Sequence, residues 1–243
     1  MKSWPKSFNL IQYDELESTN SEAKRLAFNN GINFCIKSKI QTQGKGSRGR
    51  NWISGLNNLA ASFLIYPDGN LKDFSHRTYI ASLALYDSLI YSGVNHRDIK
   101  LKWPNDVLLN QKKVSGILLE TVTNKKSRKS ALIIGIGVNL HSYPKKIHNK
   151  YDTKLKPISL NSVLGVKTPS PDTMLTYIAN SLQYWEKKYN KKGFSFIKNA
   201  WLNLSYPIGT KLELEIKGVI NRGSFLGITD NGSLKILIEK KNN

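Results

Sequence analysis

Apolar residues along the chain mostly alternate with polar ones in short stretches, and in a few places recur every three or four residues, so strands and helices are interleaved. Leu10 to Tyr13 reads as a short strand. Ser18-Thr19-Asn20-Ser21-Glu22 opens a helix to about Phe28, with Thr19 and Glu22 spaced as a capping box and Gly31 as its stop. Ile32 to Ile40 predicts a strand feeding a glycine-rich stretch, Gln41-Thr-Gln-Gly-Lys-Gly-Ser-Arg-Gly-Arg-Asn-Trp52. Leu59 to Tyr66 is an apolar strand closed by Pro67-Asp-Gly69. From Ser75 to Ser92 the positions Tyr79, Ile80, Leu83, Tyr86, Leu89 and Ile90 have helical spacing, and Gly93 ends the run.

Beyond residue 98, Ile99, Leu101 and Trp103 alternate with polar neighbours as a half-buried strand does. Val107 to Leu109 and Val114 to Val122 flank Asn110-Gln-Lys-Lys113, which predicts a hairpin. Ala131 to Leu140 is a further buried strand, and Pro171 to Lys188 and Phe194 to Leu204 read as two helices. After Tyr206-Pro207-Ile-Gly209 the character changes to short strands around Leu212, Leu214 and Ile216, then Ser224 to Ile228 and Leu234 to Ile238, the last pair joined by Asp230-Asn-Gly232. This divides the chain at 1–204 and 205–243, the second part a small all-β module, and the class is α+β with helices packed on a sheet.

Composition narrows the classes. The 243 residues are 40% hydrophobic, enough for a sizeable core. A single cysteine, Cys35, excludes an internal disulfide and a cysteine-rich metal site. No apolar run approaches the ~18 residues of a membrane span, and Met1-Lys-Ser-Trp-Pro5 lacks a secretory core. The expectation is a soluble, cytoplasmic protein without a membrane partner. Lys plus Arg number 37 against 17 Asp plus Glu, a net charge of +20. That suits a nucleic-acid partner, but much of the excess sits in lysine- and asparagine-rich loops such as 124–129 and 145–150, as solvated charge runs do.

Three segments carry candidate chemistry. Gly44, Gly46 and Gly49 match G-x-G-x-x-G, yet no helix follows as a dinucleotide fold needs, and Arg50-Asn51 replaces the Lys-Ser/Thr of a P-loop. What remains is a loop whose bare N–H groups and cations Lys45, Arg48 and Arg50 suit an anion, or an ordinary solvated loop. In Lys102-Trp-Pro-Asn-Asp106, Asn105 and Asp106 either face a cleft or form a common turn, and Lys113, before the apolar run containing Gly116, would sit at the mouth of a sheet. Gly135 and Gly137 inside an apolar strand imply close approach to the backbone, and Asn139 either reads a base edge or fixes a loop. The four histidines (His76, His96, His141, His148) show no ligand spacing, so no protein metal site is expected, and no G-x-S-x-G elbow occurs.

Taken in order, Ser18-Thr-Asn20, the Gln41–Trp52 stretch, Lys102-Trp-Pro-Asn-Asp106 with Lys113 and Gly116, and Gly135-Ile-Gly-Val-Asn139 resemble the biotin protein ligases. The resemblance implies a class II synthetase-like catalytic domain with a mixed sheet, followed by a small SH3-like barrel. It also implies the monofunctional type, without a DNA-binding helix-turn-helix and so without a DNA partner, and it allows a homodimer. Such enzymes join biotin and ATP into biotinyl-5′-AMP, with Mg2+, and pass the biotinyl group to a lysine of a biotin carboxyl carrier protein, as in acetyl-CoA carboxylase. Fixed cations and N–H dipoles are what two reacting anions need.

By resemblance, Ser18, Thr19, Asn20 and Gln41 bind the biotin head and its surroundings, with Gly116 nearby. Lys45, Gly46 and Ser47 belong to a loop that closes over biotin and the adenylate. Lys113 bridges the biotin carboxylate and the α-phosphate as the catalytic cation, Trp52 packs on adenine, and Arg48, Arg50, Asn105, Asp106 and Asn139 serve the nucleotide side. The family loop is usually Gly-Arg-Gly-Arg-x-Gly-Arg. Here Lys45 and Ser47 replace the first two arginines, leaving either Arg48 as substitute or a more loosely held intermediate. Lipoate–protein ligases share the architecture, but their arginine–glycine signature is absent; a basic nucleic-acid-binding protein would interleave aromatics with cations on one face.

Overall fold

Strands β1 (Asn9–Leu16), β2 (Phe34–Gln41), β3 (Leu59–Ile65), β4 (Ile99–Lys102), β5 (Asp106–Leu109), β6 (Lys112–Thr123) and β7 (Ser130–Val138) form one mixed sheet in the order β1-β2-β3-β7-β6-β5-β4. Only β1 and β2 run parallel; the other neighbours are antiparallel. The computed structural model describes residues 3–28, 31–124, 129–144, 155–216 and 219–238. Most of the two lysine-rich loops expected at 124–129 and 145–150, and His148 with them, lie outside the described residues.

The two faces of the sheet have different tasks because side chains alternate along each strand. On one face Phe63 of β3, Leu132, Ile134, Ile136 and Val138 of β7 and Ile117 of β6 join a large core. Helices α2 (Arg77–Tyr91) and α4 (Pro171–Leu204) supply its other half through Leu83, Leu89, Ile178 and Trp201. Each such fully buried aliphatic side chain contributes on the order of 1.5–3 kcal/mol. On the opposite face α1 (Thr19–Leu26) covers only part of the sheet, with Ala23 against Ile36, Leu64 and Ile133. At and beyond the N-terminal end of α1, β7 carries Gly135, beneath Asn20, and Gly137 in place of larger residues.

Several predicted elements change in detail. The capping box is not formed: Ser18 is the N-cap and makes no side-chain cap bond. The Thr19 hydroxyl lies against Gln41 and Ser62, and the Glu22 carboxylate accepts from Arg25 and Tyr13. The hairpin turn contracts to Asn110 and Gln111, both at positive φ, which matches the twist of a two-residue connection and moves Lys113 from the turn into β6. The helices predicted at 171–188 and 194–204 are one helical run broken at Gly193, where φ of 72° ends the first segment. Ser170 caps that run by accepting from the Thr173 N–H, and Pro171 stands at its first turn. A short helix, α3 (Asn161–Leu164), precedes it.

At the C-terminal end β8 (Lys211–Ile216), β9 (Val219–Ile228) and β10 (Leu234–Ile238) form a separate antiparallel sheet ordered β10-β9-β8. A barrel is not established by these three strands. Phe225 and Ile228 enter the same core as α2 and α4. The Gly232 carbonyl accepts from Tyr79 Oη at 2.5 Å and Trp103 Nε1 at 3.3 Å. Among the described residues, no helix is long and apolar enough to cross a membrane.

Candidate functional site

The glycine face of the sheet opens into a cavity of about 310 Å³. A Cβ on Gly135 would lie 2.2 Å from Asn20 Oδ1, and one on Gly137 would lie 2.1 Å from Trp52 Cε2. The two glycines therefore let the Asn20 amide and the Trp52 ring rest directly on the β7 backbone. The Trp52 Nε1–H is buried without a hydrogen-bond partner.

Residues from distant segments meet here. Ser18, Thr19, Asn20, Gln41, Lys45, Gly46, Ser47, Arg50, Trp52, Asn105, Asp106, Lys113, Gly116 and Asn139 all line the cavity. Arg48 does not: it sits at φ 58° in a short turn with its side chain exposed. Arg50 is the cation that stands beside Ser47, donating to its hydroxyl at 2.9 Å and its carbonyl at 3.1 Å. The loop is tied down lightly, by Lys45 Nζ to Ser21 Oγ at 2.8 Å and by Trp52 N–H to the Gly44 carbonyl at 2.8 Å.

At one end the α1 N-terminus lies over the sheet. Gln41 Oε1 accepts from the Thr19 N–H at 2.8 Å and lies 3.1 Å from Thr19 Oγ1. Ser62 of β3 and Glu120 of β6 complete this end through Thr19 and Asn20. Neither was singled out in the sequence. Ser62 stands alone in an apolar strand, where a fully buried hydroxyl demands partners, and that demand was its only signal. For Glu120, burial raises the carboxyl, but the hydrogen bonds from Lys24 and Asn20 outweigh it and hold the group below its ordinary value.

At the other end stands Lys113, whose position depends on a β-bulge. Leu108 pairs with Lys113 but Val107 pairs with Ser115, so Val114 is the extra residue. Three positions apart on a regular strand, Lys113 and Gly116 would face opposite ways; the bulge puts them on one face. A Cβ on Gly116 would lie 3.2 Å from Lys113 Nζ. The segment after residue 154 clamps the Lys113 backbone: its N–H donates to the Lys156 carbonyl at 2.9 Å, and its carbonyl accepts from the Ile158 N–H at 3.0 Å. Lys113 Nζ pairs with Asp106 at 2.5 Å and lies 5.6 Å from the Trp52 ring centroid.

Asn105 and Asn139 spend their amides on architecture. Asn105 Nδ2 donates to the Ile117 carbonyl at 2.6 Å, pinning the turn after β4 to β6. Asn139 Nδ2 donates to the Ile158 carbonyl at 3.2 Å, which ties down the segment after residue 154, and Asn139 also lines the cavity. Lys102 adds a further cation: burial lowers its ammonium, Asp106 opposes this, and the positive charges of Lys113, Arg50 and Arg48 lower it further. Among the described residues no group of three or more His, Cys, Asp or Glu could hold a metal ion.

A polar recess at one end and clustered cations at the other fit a ligand with a neutral polar head and an anionic tail or partner. Residues 18–139 match the model of the biotin/lipoate A/B protein ligase family. The chain is 33% identical over 218 residues to a biotin–[acetyl-CoA-carboxylase] ligase of Paracoccus denitrificans, covering 90% of both chains. It is 33% identical over 233 residues to the bifunctional ligase/repressor BirA of Bacillus subtilis, covering 93% of this chain and 68% of that one. In structure it resembles a biotin protein ligase from Aquifex aeolicus in complex with biotin and ATP, with a TM-score of 0.75, 26% identity and coverage of 95% and 96%.

Proposed function

The chain belongs to the biotin/lipoate A/B protein ligase family, and we infer that it is a biotin protein ligase that makes biotinyl-5′-AMP from biotin and ATP and biotinylates a carrier lysine. Its similarity to enzymes named for biotin favours this reading over lipoate ligation and over nucleic-acid binding. The observation that carries it is the meeting in one cavity of the Thr19–Gln41 recess and the Lys113 amine.

In the first step a biotin carboxylate oxygen attacks the α-phosphorus of ATP and pyrophosphate leaves. Two anions must approach, and the Lys113 ammonium, held by its clamped backbone and by Asp106, lowers that repulsion without reorganising. Thr19 and Gln41 hold the ureido head and fix the carboxylate at the Lys113 end. Arg50, with Ser47, serves the phosphates in the role that the family loop gives its arginines, and Trp52 provides the apolar wall of the nucleotide side. In the second step a carrier lysine amine attacks the acyl carbonyl, an amide forms and AMP leaves; the amine's protons pass to solvent. No covalent enzyme intermediate is required.

Mg2+ fits this site as a companion of ATP rather than as a resident of a protein cage. Asp106 is the one carboxylate among the described residues lining the cavity, and Mg2+ is commonly held by substrate phosphates with one or two carboxylates. When bound it neutralises phosphate charge. We assign the C-terminal sheet to the family's SH3-like module, beginning near residue 205, and take the carrier to be a biotin carboxyl carrier domain such as that of acetyl-CoA carboxylase, met in the cytoplasm. The deciding experiment supplies ATP with either biotin or lipoate and a purified carrier domain. Biotin-dependent pyrophosphate release and carrier labelling are expected; lipoate-dependent release with biotin silent would overturn the assignment.

A further inference from the structure

Pairing across the sheet sets Lys102, Asp106, Gly116 and Gly137 in one row, each directly opposite the next on β4, β5, β6 and β7. Residues directly opposed in antiparallel strands share a face, so all four lie on the cavity side. Asp106, Gly116 and Gly137 line the cavity. Lys102 stands one strand further out, half-buried on β4 at the edge of the sheet. The Asp106 carboxylate favours the charge on its ammonium, and the cations Lys113, Arg50 and Arg48 oppose it. Asp106 is already paired with Lys113. Four cations about one engaged carboxylate suit a polyanion.

The order of strands gives this cluster a direction. The recess is built on Gln41 of β2 and Ser62 of β3, Lys113 stands on β6, and Lys102 lies two strands beyond it on β4. With the head of biotin in the recess, its carboxylate reaches the α-phosphorus from the β3 side. In displacement at phosphorus the attacking and leaving oxygens are roughly in line, so the leaving group departs toward β4. A carboxylate oxygen forms a bond to the α-phosphorus, and the bond from that phosphorus to the bridging oxygen of the β-phosphate breaks. The electron pair of the broken bond leaves on pyrophosphate, and no proton needs to move.

We propose that Lys102 is the leaving-group cation: its ammonium binds the β- and γ-phosphates of ATP and stabilises pyrophosphate as it departs. The proposal rests on the biotin reading given above. It divides the work between two lysines. Lys113, between carboxylate and α-phosphate, serves the bond that forms, and Lys102 meets the charge that develops on the oxygen of the bond that breaks. Transfer from biotinyl-5′-AMP to the carrier involves no outer phosphates, so Lys102 is idle in the second step.

The test compares wild-type protein with Lys102→Met, which keeps an unbranched stem and removes the charge. Formation of biotinyl-5′-AMP is followed at varied biotin and ATP and with added pyrophosphate or AMP, with melting temperatures as a check on folding. Lys102→Met is expected to lower the rate of adenylate formation about 10- to 100-fold and to weaken inhibition by pyrophosphate about tenfold. The KM for biotin, inhibition by AMP, and carrier labelling from supplied biotinyl-5′-AMP should stay within about twofold. An unchanged rate and pyrophosphate inhibition, an equal weakening of inhibition by AMP, or an equal loss of labelling from biotinyl-5′-AMP would overturn the leaving-group role alone. Should Lys102→Met not fold, chemical acetylation of the wild-type protein decides: pyrophosphate, but not biotin, should protect Lys102, and modification unaffected by pyrophosphate would overturn the role. Wild-type protein that forms no adenylate from biotin would overturn the biotin reading and this proposal with it.

Discussion

The Lys113 ammonium and the Asp106 carboxylate lie 2.5 Å apart across a hairpin whose strands are out of register by one residue. The carboxylate holds the amine on the cavity side before any ligand arrives. A preset cation of this kind stabilises charge developing on the transferred phosphoryl group without the cost of moving into place.

Replacement of Lys113 by Ala is therefore expected to lower biotin-dependent pyrophosphate release by at least about 100-fold, the scale of removing one preorganised electrostatic contact. The melting temperature should change little, because Lys113 is partly exposed and its backbone bonds to Lys156 and Ile158 survive the substitution. Release near the wild-type rate would remove Lys113 from the chemistry.

At Gly137 even one methyl group has no room, since its Cβ would lie 2.1 Å from the Trp52 ring, which must leave the cavity wall. Overpacking costs about 1–3 kcal/mol, so Gly137→Ala is expected to lower both the melting temperature and the rate of adenylate formation, the latter roughly tenfold or more. At Gly116 the Cβ would lie 3.2 Å from the movable end of Lys113 and from Trp52 Cζ3, so Gly116→Ala should be the milder of the two. Equal effects of the two alanines on the rate would show that Trp52 adapts freely.

The Lys24–Glu120–Asn20 contact makes a prediction about acid. The folded state holds the Glu120 carboxyl below its ordinary value. A carboxyl lowered in this way stabilises the fold above its unfolded-state pKa, and that contribution is lost as the pH falls through the folded-state value. Between about pH 5 and pH 3 the melting temperature of wild-type protein should therefore fall more steeply than that of Glu120→Gln. Parallel curves would mean that the contact contributes nothing to the fold.

Much of this site is legible in the sequence because its residues lie in short runs with unusual composition. Two glycines in the apolar strand at 131–140 announce a close approach to the backbone, and Asn20 and Trp52 are what approach. Lys113 is legible as a cation near the mouth of a sheet, but its orientation is not, since the bulge at Val114 arises from pairing with β5 rather than from any local pattern. The capping box misleads for a related reason: spacing shows that Thr19 could cap the helix, whereas Gln41 and Ser62, distant in sequence, claim its hydroxyl. Arg48 has the right charge and neighbours, yet its left-handed backbone turns it out of the cavity and leaves Arg50 inside. Glu120 reads as one more polar position on an alternating strand, because its meaning lies entirely in what α1 places above it.

The extra residue at Val114 also bears on how this hairpin tolerates change. The turn-side half of β6 and its inner half present side chains in opposite phase, and the amine and the glycine beneath it belong to different halves. A slip of one rung that erased the offset would leave nearly every backbone bond intact while turning the amine and Gly116 to opposite sides of the sheet. Residue count along this hairpin, as much as residue identity, is thus part of what makes the pocket work.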